Sequence, residues 1–432
     1  MKCKTCFFFL MLLGWVWSAK AQDTLTVMQY NLLYYGNYNS GFADCYETNN
    51  NTQQKDECIR TITDYVKPDI FTVCEFGSTQ ALLTDFLRHN LNINGANYWK
   101  TDNIINYAGE NIINHIFYDS RKLGLSKHIA LKTKPRDTDF YELYMKTPGL
   151  AVGDTIKLIC IVAHLKAGQG YEASRRAQMQ TAMDYLNQHY PHDNALIMGD
   201  FNLYSANENA YRLLTQTYTN PEVCFVDPVG TAGIGAWSNN NQFAAYHTQS
   251  TRSYSDECFS NGGLDDRFDF ILMADEIRFG YNHLRYVNNS FRAIGNDGRH
   301  FNQSVNQSVN SSVPSAVADA LYDCSDHLPV TMKIAVDAHL GVEDNEVQDL
   351  YATVAPNPAT DLTHVEFFNP SQGRVQFDLY TLQGQLVSQQ SAYFSNGAQQ
   401  FELSLQNLTK GFYLLRMTHS GGWRQTVKVV IK

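Results

Sequence analysis

Between residues 24 and 337 the chain alternates two periodicities, and this alternation limits its fold more than any other feature. "TLTVMQYNLLYY", "DIFTVCEF", "NHIFYD", "IKLICIVAHL", "ALIMGDF", "RFDFILMA" and "LPVTMKIAV" are apolar runs of strand length. Several are almost continuously apolar, as strands covered on both faces should be. "DECIRTITDYVK", "TQALLTDFLRHNL" and "YEASRRAQMQTAMDYLNQHY" carry helical spacing instead, the first closed by Pro68. Strands interleaved with helices predict an α/β body with helices outside the sheets. An acidic, mostly polar stretch at 338–349 then reads as a linker, with the domain boundary near 345. Residues 350–432 show short alternating strands between Gly, Asn and Pro turns, which predicts a small all-β sandwich. A chain of 432 residues is also too long for one ordinary core.

The first 21 residues read as a signal peptide. Lys2 and Lys4 precede the apolar run "FFFLMLLGWVW", and "AKA" at 19–21 has the small-x-small form of a cleavage site. The mature chain is expected to start near Gln22 and to be exported. The formal net charge of −10 argues against nonspecific adhesion to DNA or anionic membrane, while leaving room for a local basic site. Seven of nine cysteines lie outside the signal peptide. Cys74 and Cys160 sit in apolar runs and are expected in the core, whereas Cys45, Cys58, Cys224, Cys258 and Cys324 read as loop residues. In an oxidising compartment Cys45 with Cys58 is the expected disulfide. No cysteine or histidine spacing suggests zinc. The repetitive tract "NQSVNQSVNSSV" at 302–313 reads as a surface loop.

Polar residues recur where the apolar runs stop. "ALIMGDFN" ends in Asp200 and Asn202, which share a face of an extended segment while Phe201 turns to the core. An Asx-type turn would account for that pair alone. However, Asn31 lies in the first run, Glu75 ends the second, and His164 follows "ICIVA". Asp269 stands between Phe268 and Phe270, and Asp326 with His327 precedes the last run. In a layered sheet these strand ends gather into one cleft. Acids and amides there suit a hard cation, and cationic or neutral donors suit a phosphate.

With Asn31, Glu75, His164, "GDFN", "RFDFI" and "SDHLPV" in this order, residues 24–337 resemble the endonuclease/exonuclease/phosphatase superfamily, the DNase I-like enzymes. The resemblance implies a four-layer α/β/β/α sandwich and Mg²⁺-dependent hydrolysis of a phosphoester, with Mn²⁺ or Ca²⁺ as possible substitutes. It implies Glu75 as the main metal ligand, supported by Asn31 and Asp326. Asp200 and Asn202 would orient the attacking water and hold the phosphate. His327 would serve as acid/base or phosphate contact, with Asp269 fixing its tautomer, and His164 would touch a non-bridging oxygen. The family's glutamate partner for that histidine has no clean match; Glu110 and Asn114 are the candidates. Arg175 or Arg176 could brace the site, and Arg252 and Arg267 could read phosphate. A nuclease acting on extracellular nucleic acid is the leading reading. A phosphatase or phosphodiesterase for sugar, inositol or phospholipid phosphates is the alternative, and a non-catalytic binding protein is the third.

The C-terminal region resembles the type A sorting domain of type IX secretion substrates. The resemblance rests on "APNPATDL", "YTLQGQLV", "GFYLLRM" and the basic end "GWRQTVKVVIK". It implies a Bacteroidota-type host, delivery by the type IX machinery, and release or surface anchoring. Nothing in the sequence signals oligomerisation, and the chain is read as a monomer.

Overall fold

The computed structural model describes residues 23–37, 45–146, 155–216, 223–230, 234–254, 258–336, 352–369, 372–382, 384–419 and 424–432. The expected signal peptide and linker lie outside them. Strands and helices are numbered in chain order. One seven-stranded sheet runs β11 (Leu284–Tyr286), β13 (Val330–Val336), β1 (Asp23–Tyr35), β2 (Ile70–Gly77), β4 (Ile112–Asp119) and β3 (Trp99–Lys100). The short β12 (Arg292–Ala293) pairs beside β13. A six-stranded sheet runs β5 (Leu123–Leu131), β6 (Thr138–Met145), β7 (Lys157–Val162), β8 (Ala195–Asp200), β10 (Asp269–Ala274) and β9 (Phe225–Val226).

Side-chain alternation along these strands defines the layers. Leu25 and Val27 of β1 share one core with Leu158, Cys160 and Val162 of β7, and with Leu196 and Met198 of β8. That core lies between the sheets. Met28, Tyr30 and Leu32 point the other way, onto α1 (Thr52–Val66), α2 (Gln80–Phe86) and α6 (Ser315–Cys324). Ile159, Ile161, Ala195 and Ile197 likewise pack on α3 (Glu172–His189) and α4 (Asn209–Thr215). Helices therefore cover both outer faces, and the body is the α/β/β/α sandwich that the family resemblance implied. A period of two sends adjacent residues to opposite faces, so each central strand serves two cores.

The C-terminal region forms two antiparallel sheets without a helix among its described residues. One comprises β14 (Ala352–Ala355), β15 (Leu362–Asn369) and β18 (Gly397–Ser404). The other orders β17 (Leu386–Phe394), β16 (Gly373–Thr381), β19 (Gly411–His419) and β20 (Arg424–Ile431). Val365, Phe377, Leu379, Leu403, Leu415 and Val429 fill a core of their own.

The expected cysteine pairing is corrected. Cys74 and Cys160 are fully buried as anticipated, but the disulfide joins Cys45 to Cys258, with Cα atoms 4.5 Å apart. Cys58 is not a loop residue; it sits on α1, whose buried face packs on the first sheet's outer core. Cys45 lies instead beyond the end of β1 and packs with Leu33, Tyr34 and Phe259.

Candidate active site

Strand direction brings the polar ends to one rim. β1 and β2 run parallel, and so do β7 and β8, so Asn31, Glu75, His164 and Asp200 all leave from C-terminal ends. β10 and β13 run antiparallel to these neighbours, so Asp269 pairs directly with Asp200 and the residues before β13 return to the same edge. Pairing of β1 with β2 slips between Asn31 and Tyr35, and pairing of β2 with β4 slips between Val73 and Phe76. Glu75, within the second slip, has φ 56°. Irregularities of this kind re-aim side chains at sheet rims. Gly199 is required by its neighbour: a Cβ there would lie 1.7 Å from the Ala163 carbonyl oxygen.

Asn31 stitches the two sheets together. Its Nδ2 donates to Glu75 Oε1 at 3.0 Å and to Asp200 Oδ2 at 2.9 Å, while its Oδ1 accepts from Leu33 N at 2.9 Å. A backbone N–H can only donate, which fixes the amide's orientation. Tyr34 N also donates to Glu75 Oε2 at 3.2 Å. Leu33 and Tyr34 reach this position with φ of 45° and 49°. Beneath them, buried Lys55 donates to the carbonyls of Leu32 and Leu33, each at 2.7 Å. Burial holds its ammonium down, to about 8.

Asp200 does two jobs. Oδ1 accepts from Asn202 N at 3.0 Å, so the Asx-type turn is present, while Oδ2 faces the cleft. Asn202 has φ 49° and donates through Nδ2 to Leu165 O at 3.3 Å, and Phe201 packs in the outer core. His164 Nε2 lies 3.3 Å from Asp200 Oδ2 and 3.8 Å from Glu75 Oε1. Its buried Nδ1 has no protein partner; neither Glu110 nor Asn114 supplies one. Asn114 turns to the Asp137 carbonyl and Asp139. Burial above all, with the charges of Arg136, His327 and Lys166, keeps the His164 imidazole neutral.

His327 Nδ1 lies 2.7 Å from Asp269 Oδ2. Burial pushes this imidazole down, but the carboxylates of Asp269 and Asp200 outweigh it and hold it well above the ordinary histidine value. Its Nε2 lies 2.7 Å from the Gln249 amide and 3.7 Å from Asp200 Oδ2. The amide can donate to a neutral ring through its N–H or accept from a charged one through its oxygen, so Gln249 suits both protonation states. Asp326 accepts from Ser260 N at 3.1 Å and Gln249 Nε2 at 3.4 Å, and its buried Oδ1 has no partner. Ser325 Oγ bridges Asn31 O at 2.7 Å and His327 N at 3.1 Å.

The donor set fits a divalent cation. Glu75, His164 and Asp200 each offer one ligand atom, all within 4.8 Å of one another. Burial raises the carboxyls of Glu75 and Asp200, the latter to about 7, and neighbouring acids add to it. Clustered buried carboxylates with orphaned oxygens on Asp269 and Asp326 call for positive charge. The carboxylate oxygens suit a hard ion such as Mg²⁺, Mn²⁺ or Ca²⁺. Asn31, expected as a supporting ligand, instead turns its N–H group to those carboxylates and its oxygen to Leu33 N, and so positions the ligands.

Of the four expected arginines, Arg175 takes a bracing position and the other three have other surroundings. Arg175 is fully buried, pairs with Glu208 at 2.8 Å, and donates to the carbonyls of Lys166 and Gly168. It therefore braces the loop that follows His164. Arg267 pairs with Asp227 at 2.8 Å beneath the rim. Arg252 stacks between Phe259 and Tyr322, 3.6 and 4.4 Å from their ring centres. Arg176 lies half-buried on α3. A further cation whose charge reaches the site is one that sequence reasoning missed. Arg136 has Nε and Nη1 buried without hydrogen-bond partners, and its charge acts on both Glu75 and His164. Only recognition of the β5–β6 hairpin would have marked its loop as part of the rim.

Fold and rim together define an α/β/β/α body that holds a carboxylate–imidazole cleft. Its C-terminal domain places it among exported proteins: residues 353–432 match the family of secretion system C-terminal sorting domains. The protein therefore carries a type IX sorting domain and is secreted or displayed at the cell surface. No helix among the described residues is long and apolar enough to cross a membrane.

Among solved structures, an endonuclease/exonuclease/phosphatase from Bacteroides vulgatus shares 14% identity, covering 73% of this chain and 100% of its own, at a TM-score of 0.47. A humanized D. rerio TDP2 shares 12%, over 72% and 99%, at 0.45. The human Nocturnin catalytic domain with bound sulfate shares 14%, over 73% and 97%, at 0.43. The four-layer topology stands on the sheets and cores above rather than on these likenesses. No curated protein matches the sequence.

Proposed function

We propose that this protein is a secreted, divalent-metal-dependent phosphoester hydrolase, foremost a nuclease acting on extracellular nucleic acid. The observation that carries the reading is the meeting of two units at one rim. One is the buried Glu75–Asn31–Asp200 network with His164, and the other is the Asp269–His327 pair. Glu75 is the principal ligand, with Asp326 in support. Asn31 holds Glu75 and Asp200 at a fixed separation through its Nδ2. A bound cation would neutralise the charge that builds on phosphate in the transition state.

Asp200, anchored by Asn31 and by the Asn202 N–H, orients the attacking water and accepts its proton as the new P–O bond forms. The ester P–O bond breaks on the opposite side, and His327 delivers a proton to the departing oxygen. Asp269 holds that ring in the correct tautomer and favours its charged form. Arg136, with neutral His164, contacts non-bridging oxygens.

The test sets plasmid DNA beside bis-p-nitrophenyl phosphate, in Mg²⁺, Mn²⁺ or Ca²⁺ and with EDTA. Both substrates are expected to be cut, to be protected by EDTA, and to survive in Asp200→Ala and His327→Ala variants that remain folded. Intact DNA beside a cleaved small ester would reject the nuclease reading and favour small phosphoesters. No cleavage of either would reject the hydrolase.

A further inference from the structure

A cavity of about 430 Å³ adjoins this rim, lined by Lys132, Lys134, Lys166, Tyr171, Ser174 and Glu110 among others. The segments that enclose it also feed the site. Lys132 and Lys134 belong to the loop that carries Arg136, and Lys166 follows His164 by two residues. Buried Arg175 fixes this second segment through the Lys166 and Gly168 carbonyls. The Lys166 charge reaches the His164 ring.

Three ammonium groups face one carboxylate here, in a chain whose net charge is −10. Among the described residues, none of the three is paired with an acid. Tyr171 is 48% exposed, and Lys166 Nζ lies 4.7 Å from its ring centre. A half-exposed aromatic ring beside cations is the arrangement that binds an unpaired nucleic acid strand, with phosphates on lysines and a base on the ring. The face of a paired base is already covered by its stacked neighbours, so such a shelf discriminates against duplex. The volume suits a nucleotide-sized group.

We propose that the Lys132–Lys134–Lys166–Tyr171 shelf seats the single-stranded nucleic acid flanking the scissile phosphodiester, and so gives the enzyme a preference for unpaired strands. This rests on the nuclease reading of the rim and extends it from reaction to substrate class.

The experiment compares a short oligothymidylate, a blunt duplex of equal length and bis-p-nitrophenyl phosphate, using the full chain. The small ester has no flanking phosphates and serves as the internal reference. In Lys132→Gln/Lys134→Gln and in Tyr171→Ala, the ratio of kcat/KM for oligothymidylate to that for the small ester is expected to fall about tenfold, mainly through KM. Loss of two phosphate contacts should flatten the dependence of log KM on log salt by about 1.4. Tyr171→Phe, which keeps the stacking face, should restore the ratio. An unchanged ratio, equal losses on both substrates, or no wild-type advantage for the single strand over the duplex would overturn the shelf while leaving the hydrolase standing. Failure of the wild-type protein to cut either class would instead reject the reading of the rim.

Discussion

Two buried guanidinium nitrogens of Arg136 lack hydrogen-bond partners, and a group held this way is costly unless something completes it. An anionic oxygen of a bound phosphate would complete it. Removing one such preorganised donor typically costs on the order of 10²–10³ in rate. Arg136→Gln should lower kcat on a phosphodiester by about that factor with an unchanged unfolding temperature; a wild-type rate would remove Arg136 from the site. Asp200 makes a separate, pH-dependent prediction. Its carboxyl is pushed up to about 7, against about 3.9 in an unfolded chain. From about pH 4 to 7 the unfolded state therefore releases this proton more readily, and the contribution of Asp200 to metal-free stability falls as pH rises through that window. A cation competes with the proton and reverses the loss. In EDTA the wild-type protein should thus lose more unfolding temperature, or gain less, between pH 5 and neutrality than Asp200→Asn, with Mg²⁺ narrowing the difference. Asp265, also pushed to about 7 by burial, adds a slope of the same sign, while the buried imidazoles of His164 and His115, held below the ordinary value, add one of the opposite sign. The comparison with Asp200→Asn therefore isolates the one carboxyl. An identical pH dependence in wild type and Asp200→Asn would contradict the assignment.

Loops rather than strands decide how firmly the rim is held. The Cys45–Cys258 disulfide ties the segment after β1 to the one that offers Ser260 N to Asp326. It also packs against Leu33 and Tyr34, whose backbone serves Asn31 and Glu75. Cross-links of long loops stabilise by about 2–4 kcal/mol. Cys45→Ser/Cys258→Ser should lose roughly that much and, in addition, bind metal more weakly at temperatures where it remains folded. Isothermal titration with Mn²⁺ reads the second effect; unchanged affinity would confine the bridge to stability. This pairing was not legible in the sequence, because it joins positions 213 residues apart that only tertiary structure brings together. The central strands were legible, since burial on both faces makes them continuously apolar. The β5–β6 hairpin was not, because β5 is largely exposed along its middle, and α6 was hidden behind the repetitive polar tract. The convergence of strand-end acids, amides and imidazoles followed from sheet geometry alone. Arg136 and Gln249 escaped notice because loops place them, and loops have no period.

The molecule separates chemistry from delivery. The core of the C-terminal sheets shares no residue with the three cores of the body, so each region can be folded by its own apolar residues. Deletion of 353–432 should leave a soluble, EDTA-sensitive hydrolase trapped in the periplasm; fractionation checks this, and normal secretion of the truncated chain would refute the sorting role. Within the body, each central strand divides its side chains between two hydrophobic layers. A slip of one residue would turn both layers inside out at once, so polar atoms at the edge are kept in place by grease far from any reacting group. Mutations deep in either layer should therefore dull the chemistry well before they melt the protein.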